Sequence, residues 1–223
     1  LDGEEVEPLD LDALREAVEV RRGSVDAFAV SGYLSVRNPA HEIAARALVR
    51  EITGLPVVCG HDLSMELGSI KRATTAALNA RLMPLLRDLI SSVRDVLRSR
   101  SMSAPLVVVK GDGSLMRAEV ALERPIETVL SGPAASIIGA KRLSGHEDAI
   151  VVDMGGTTTD VAVIAGGQPR VNPQGAIVGG WQTAIRAVDV RTAGLGGDSH
   201  VRVDRDGQVL VGPRRVVPLC VAA

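Results

Sequence analysis

Aromatic side chains are nearly absent from this chain, whose 223 residues hold one phenylalanine, one tyrosine and one tryptophan, at Phe28, Tyr33 and Trp181. Base stacking on aromatic rings, on which single-stranded nucleic-acid binders depend, is thereby excluded as a general mode. The core must be aliphatic, built from Val, Leu, Ile and Ala. An excess of one charge is lacking too: Lys and Arg total 25 against 27 Asp and Glu, which leaves no basic footprint for nucleic acid or an anionic membrane. Cysteine is scarce, and Cys59 and Cys220 stand apart, without metal-ligand spacing or a disulfide framework, so both read as small core fillers. No apolar run approaches the roughly 20 residues a spanning helix needs, and no secretory signal opens the chain. With a hydrophobic fraction of 46%, these absences describe a globular protein for which a cytoplasmic address fits best.

What is present centres on Ile150-Val-Val-Asp-Met-Gly-Gly-Thr-Thr-Thr-Asp-Val-Ala-Val-Ile164. Two apolar runs, Ile150 to Val152 and Val161 to Ile164, read as strands joined by a glycine turn. Gly155 and Gly156 lack a Cβ, so the backbone is free to take positive φ and bring N–H groups against an anion. Thr157, Thr158 and Thr159 add hydroxyl donors. Asp153 and Asp160 repel a phosphate, but each suits a water-mediated Mg²⁺ or an attacking water. An ordinary Gly-Gly hairpin needs neither the threonines nor the aspartates. The turn is therefore expected to hold phosphate.

The rest of the chain alternates. Val25 to Val30 reads as a buried strand, Pro39 to Thr53 as a helix closed by Gly54, and Leu55 to Cys59 as a second strand, which makes a parallel βαβ unit. A long helix is predicted from about Ser69 to Arg100, with Leu78, Leu82, Leu85, Leu86, Leu89, Val93, Val96 and Leu97 on one side and a kink at Pro84. Leu106 to Val109 reads as a strand and Ser114 to Leu122 as helical. Ser131 to Ala140 is a small-residue helix, with Ser131 as its N-cap and Pro133 in its first turn, suited to close backbone packing. Further strands are expected near Ala187 to Val190, His200 to Val203 and Gln208 to Val211, the last two joined by an Asp206-Gly207 turn. Two parts are expected, 1–130 and 131–223, because helix–strand alternation gives way to consecutive hairpins near Leu130.

Other positions bear on chemistry. Lys110 and Asp112 follow a buried strand in a Gly-Asp-Gly turn. There Lys110 would neutralise a phosphate or polarise a carbonyl, and Asp112 would bind Mg²⁺ or activate water, unless the turn is only a surface connection. Arg72, Thr75 and Asn79 share one helical face, which either looks into a cleft or is merely solvated. Gly196, Gly197, Asp198 and Ser199 form a second glycine-rich turn, read as a nucleotide contact against the alternative of a plain strand connection. His61 and His200 lie beside strand ends, yet no Ser-His-Asp, Cys-His or zinc-type arrangement can be argued from the spacings. Trp181 reads as packed, its indole N–H on a carbonyl.

Four segments, Lys71-Arg-Ala-Thr-Thr-Ala-Ala-Leu-Asn-Ala80, Ser131-Gly-Pro-Ala-Ala135, Asp153-Met-Gly-Gly-Thr-Thr-Thr-Asp160 and Gly194-Leu-Gly-Gly-Asp-Ser199, resemble in wording, order and spacing the hydantoinase/oxoprolinase family of the actin-like ATPase superfamily. The resemblance runs from about Asp26 to about Pro213. It implies an α/β, actin-like ATPase (ribonuclease H-like) fold, present as the end of a first half plus the start of a second. Residues 131–140 would be the hinge helix and the hairpin the second of two phosphate turns. It also implies ATP and Mg²⁺ as cofactors, with catalytic roles for Asp153 and Asp160, Mg²⁺ held by Asp153 through water, and Gly155, Gly156, Thr157, Thr158 and Gly196 to Ser199 around the nucleotide. Arg72, Thr75 and Asn79 gain a substrate-facing role from it. Uncharged polar residues are usual in the family where Lys110 and Asp112 stand, so these two charges mark a departure. The activity implied is ATP-driven opening of a small cyclic amide or imide through carbonyl phosphorylation, with a metabolite phosphotransferase or a nucleotide-binding assembly subunit as alternatives. Partners would be a second enzyme subunit or a further copy of the chain. A complete member begins with its own glycine-threonine turn, absent between Leu1 and Val30, so the chain reads as the middle of a longer polypeptide, incapable of turnover alone, or as a short paralogue.

Overall fold

The computed structural model describes residues 2–218 and residue 221. In chain order the elements are α1 (Leu11–Arg21), β1 (Phe28–Val30), α2 (Ala40–Thr53), β2 (Val57–Cys59), α3 (Gly60–Leu63), α4 (Ser69–Ser99), β3 (Val107–Val109), β4 (Leu115–Arg117), α5 (Ala118–Glu123), a 3-10 turn (Pro125–Thr128), α6 (Ser131–Ser144), β5 (Ala149–Met154), β6 (Thr159–Ala165), β7 (Gln168–Pro169), β8 (Ile177–Val178), β9 (Trp181–Gln182), β10 (Val190–Ala193), β11 (Ser199–Val203) and β12 (Val209–Arg215). They form two compact units. One runs up to Lys110 and adds Ser114–Val129 and Asn172–Ala187; the other takes Gly111–Gly113, Leu130–Val171 and the chain from Val188 onward. The segment Asn172–Ala187 thus belongs with the first unit although it follows Leu130 in sequence.

In the first unit β1 and β2 pair in parallel, Phe28 opposite Val57 and Val30 opposite Cys59. The connecting α2 ends at Gly54, whose φ of 66° is the left-handed conformation a helix terminus requires and a Cβ disfavours. Val18, Val49 and Val57 make one core with Leu14, Phe28, Val30 and Ile52 around them, and Val58, Ala76 and Ala80 make another. The helix α4 runs unbroken through Pro84. Its buried residues are not the expected leucine stripe. Leu85, Leu89 and Val96 are exposed, while Arg72, Thr75, Ala76, Asn79, Ala80 and Ile90 are buried. The segment expected to turn helical at Ser114 first forms β4, which pairs with β3 in a tight hairpin before α5 begins.

The second unit is a sheet ordered β10-β6-β5, with β7 added to β6. Against it α6 packs Ala134 and Ile137 on Ala162, Ile164 and Val188. The position before α6 is Leu130, in a left-handed conformation, with Ser131 inside the helix and no side-chain cap. A Cβ on Gly132 or Gly139 would meet nothing within 4 Å, so neither glycine serves a close approach. The hairpin β11–β12 closes at Asp204 to Gln208, where Gly207 has a φ of 79°. Among the described residues no helix is long and apolar enough to cross a membrane. Cys59 is fully buried, in keeping with a core filler, whereas Cys220 lies outside the described residues.

Candidate phosphate cradle and buried polar clusters

The β5–β6 hairpin is in register from Ala149↔Ile164 to Met154↔Thr159, so Asp153 and Asp160 stand directly opposite one another. Its four-residue tip, Gly155 to Thr158, is closed by the Gly155 N–H donating to the Thr158 carbonyl at 2.9 Å. The tip does not stand alone. The Gly197 N–H donates to the Gly155 carbonyl at 3.0 Å and the Asp198 N–H to the Gly156 carbonyl at 2.8 Å, so the two glycine-rich turns are joined backbone to backbone. Below them the Thr159 hydroxyl donates to the Leu195 carbonyl at 2.6 Å.

This pairing explains the glycines differently from the expectation. Neither Gly155 nor Gly156 adopts positive φ. They are required for proximity: a Cβ on Gly196 would stand 2.5 Å from the Gly156 carbonyl oxygen, and one on Gly156 would stand 3.0 Å from an Asp198 carboxylate oxygen. The spacing of the two turns by some forty residues hides this in sequence.

The donors divide between the turns. In the second turn every N–H is used internally, Gly196 on the Ser199 hydroxyl at 2.9 Å and Ser199 on the Gly196 carbonyl at 3.0 Å, besides the two inter-turn bonds. The Asp198 carboxylate is paired with Arg215 at 2.5 Å. In the hairpin tip, by contrast, the N–H groups of Gly156, Thr157 and Thr158 have no hydrogen bond among the described residues, and Gly156 and Thr157 are exposed. Three successive open N–H groups thus lie beside the Thr157 and Thr158 side chains at the hairpin tip. The Gly155 N–H, expected to serve there, is spent on the turn itself. Asp160 accepts the Thr192 hydroxyl at 2.6 Å, and Asp153 is exposed. Like charges directly opposite across two strands are unfavourable.

Of the other expected residues, Arg72, Thr75, Asn79 and Lys110 lie in the first unit. Arg72, Thr75 and Asn79 are completely buried. Arg72 donates to the Gly32, Tyr33 and Glu66 carbonyls at 2.7, 2.8 and 2.7 Å. The Thr75 hydroxyl donates to the Lys71 carbonyl and accepts the Ala184 N–H, and Asn79 bridges the Glu123 carbonyl and the Ile126 N–H. These side chains brace the loops that cover α4. Helical spacing identifies their common face but not what packs on it. Lys110 is ion-paired with Glu127 at 2.9 Å, and Asp112 sits in the Gly111–Gly113 turn of the second unit. Trp181 is 62% exposed on the short β8–β9 hairpin rather than packed.

Sequence reasoning missed Glu42. Its side chain is 1% exposed and touches His61, with the ring Nδ1 at 2.5 Å and the His61 N–H at 3.0 Å from Oε2, while the Gly32 N–H donates to Oε1 at 2.7 Å. Burial on its own raises this carboxyl, but the bonds from the His61 N–H, the Ser35 hydroxyl, the Gly32 N–H and the His61 ring outweigh it and hold Glu42 below its ordinary value. Burial pushes the neighbouring Cys59 thiol up to about 11, and the thiol contacts the Glu42 carbonyl. A usable signal existed: Glu42 falls on the helical stripe of Ala45, Val49 and Ile52, where an apolar residue is expected.

Two family descriptions match this chain: hydantoinase/oxoprolinase over residues 72–217, and the hydantoinase/oxoprolinase N-terminal region over residues 1–53. It is 31% identical over 218 residues to the caprolactamase subunit alpha of Pseudomonas jessenii, covering 96% of this chain and 31% of that one. It is 30% identical over 224 residues to the acetophenone carboxylase gamma subunit of Aromatoleum aromaticum, covering 95% and 30%. The crystal structure of the ATP-dependent caprolactamase from Pseudomonas jessenii superposes with a TM-score of 0.82 at 31% identity, over 96% of this chain and 32% of that one. The chain thus spans about a third of the length of these relatives.

Proposed function

Since the chain belongs to the hydantoinase/oxoprolinase family, we propose that it is part of an ATP-dependent enzyme subunit that opens a cyclic amide or imide by phosphorylating its carbonyl oxygen. The observation that carries this reading is the cradle of open N–H groups at Gly156, Thr157 and Thr158, held in shape by the second glycine turn. These groups, with the Thr157 and Thr158 hydroxyls, bind the terminal phosphates; Gly155, Gly196, Gly197, Asp198 and Ser199 act by fixing the cradle. Asp153 holds Mg²⁺ through water and, with Asp160, offsets the ion's charge. ATP, when bound, supplies the phosphoryl group that makes an amide carbon open to water. Positioning and charge neutralisation account for such catalysis without a covalent enzyme intermediate. The fold is read as actin-like, with this chain as the end of one half and the start of the next, working in the cytoplasm with a second subunit. The relatives' names as subunits support that partner. The carboxylase relative supports a second reading, in which the activated carbonyl compound is carboxylated rather than hydrolysed.

Calorimetric titration with Mg²⁺-ATP tests the cradle, on this chain and on the full-length protein. Saturable binding by the full-length protein, lost in Asp153→Ala together with ATP-dependent turnover while the fold persists, is the expected result. Normal turnover by Asp153→Ala would remove that residue from the reading.

A further inference from the structure

We propose that Glu42 and His61 form a proton-transfer pair, in which Glu42 orients the imidazole through Nδ1 and the Nε2 side delivers a proton to the nitrogen leaving group of a small carbonyl substrate. The inference rests on the ring-opening reading above and adds to it the acid that such a reaction requires.

The pair lies at the carboxyl ends of the parallel strands β1 and β2, where open parallel sheets place their ligands. Ser31 and Gly32 follow one strand, and Gly60, His61 and Asp62 the other. Burying a carboxylate costs several kcal/mol unless it is fully bonded, and a structural brace on this apolar stripe of α2 has no need of one. Glu42 is nevertheless buried and accepts two backbone N–H groups, which fix both oxygens and direct one at the imidazole. A buried carboxylate on Nδ1–H selects the tautomer and leaves Nε2 for the reacting group, the general logic of an oriented imidazole. The His61 side chain is 15% exposed. Nε2 faces Asp62 at 3.2 Å, and the other Asp62 oxygen is held by Arg46 at 2.6 Å. Asp62 is 37% exposed, and a substrate nitrogen that reaches Nε2 must displace it while it stays paired with Arg46.

Glu42, Cys59 and His61 converge, and the Glu42 oxygen and His61 Nδ1 stand 2.5 Å apart, the separation of a hydrogen bond. Cys59 is buried and keeps its proton, so it takes no part.

The step balances. The acid is the imidazolium, protonated on both nitrogens; as the carbon–nitrogen bond breaks, its electron pair goes to nitrogen, which takes the Nε2 proton and leaves the neutral ring protonated at Nδ1. The ring keeps its Nδ1 proton on Glu42 and regains the other from water.

The test uses the full-length protein and the variants His61→Ala and Glu42→Gln, with Mg²⁺-ATP binding as the check on folding. General acid–base groups contribute about 10²–10⁴-fold, so His61→Ala should lose ring-opening turnover by that order, bind ATP normally, and recover part of its rate when imidazole is added. The recovered rate should vary with the pKa of substituted imidazoles, a response that a lost brace cannot produce. Glu42→Gln should bind ATP, turn over more slowly and show an altered pH–rate profile, in which the charged or titratable neighbours are Glu42, Arg46, Asp62, Cys59 and Arg72. Wild-type turnover in His61→Ala, or a folded, ATP-binding and inactive His61→Ala that imidazole does not rescue, overturns the inference alone. A wild-type protein that binds ATP but opens no cyclic amide overturns the ring-opening reading, and this inference with it.

Discussion

Replacing Gly196 by alanine puts the largest demand on the junction between the two turns. The new Cβ would stand 2.5 Å from the Gly156 oxygen, 2.6 Å from the Gly156 carbonyl carbon and 2.7 Å from the Thr157 nitrogen. All three are backbone atoms, so no side chain can rotate away, and the turns must part. Parting them breaks the bonds from Gly197 to Gly155 and from Asp198 to Gly156. Two hydrogen bonds at about 1 kcal/mol each, together with overpacking of about 1–3 kcal/mol, amount to roughly 3–5 kcal/mol. At about 2–4 °C per kcal/mol for a chain of this size, the unfolding midpoint should fall by roughly 6–20 °C. Gly194→Ala is the matched control, because a Cβ there meets nothing within 4 Å and its φ is not positive. Its midpoint should move by no more than the roughly 1 kcal/mol typical of a compatible glycine-to-alanine change. Differential scanning calorimetry of the two variants decides. Equal midpoints would refute the close approach of the turns and the cradle built on it.

Asn79→Ala should destabilise by about 2–3 kcal/mol in a denaturant titration, since it strands the Glu123 carbonyl and the Ile126 N–H in the interior; an unchanged midpoint would mean that Asn79 faces solvent. Glu42 is held below its ordinary value of 4.5, so its contribution to stability is fully present above that pH and is lost as pH falls through the lower folded value. Wild type and Glu42→Gln should therefore differ most near neutral pH and converge in acid below 4.5, as read by thermal unfolding across pH. Trp181, the sole tryptophan and 62% exposed, should be quenched by iodide in the native protein nearly as well as free indole; strong protection would place it in a packed site.

Local chemistry was readable from residue order. Gly54 ends α2 because a left-handed residue must sit there, and alternation of apolar runs around Gly155 and Gly156 set out the β5–β6 hairpin. What was not readable depends on which segments meet. Arg72, Thr75 and Asn79 lie on one face of α4 in any reading, but only the packing of residues 32–33, 123–126 and 184 makes that face interior. The second glycine turn was recognisable as a turn, yet its service as a brace follows from inter-turn bonds between residues about forty positions apart. The leucines of α4 follow helical spacing and still face outward in part, since period reports a common face and not its cover. Glu42 was legible in principle, as a carboxylate on an apolar stripe, and His61 at a strand end supplied its partner.

Carbonyl phosphorylation is tested most directly by following the carbonyl oxygen itself. A cyclic amide labelled with heavy oxygen at its carbonyl is turned over by the full-length protein with unlabelled ATP and water, and the released phosphate is analysed by mass spectrometry. Phosphorylation at that oxygen predicts that the label leaves in inorganic phosphate as the ring opens. Label kept wholly in the ring-opened carboxylate, with unlabelled phosphate, would contradict it.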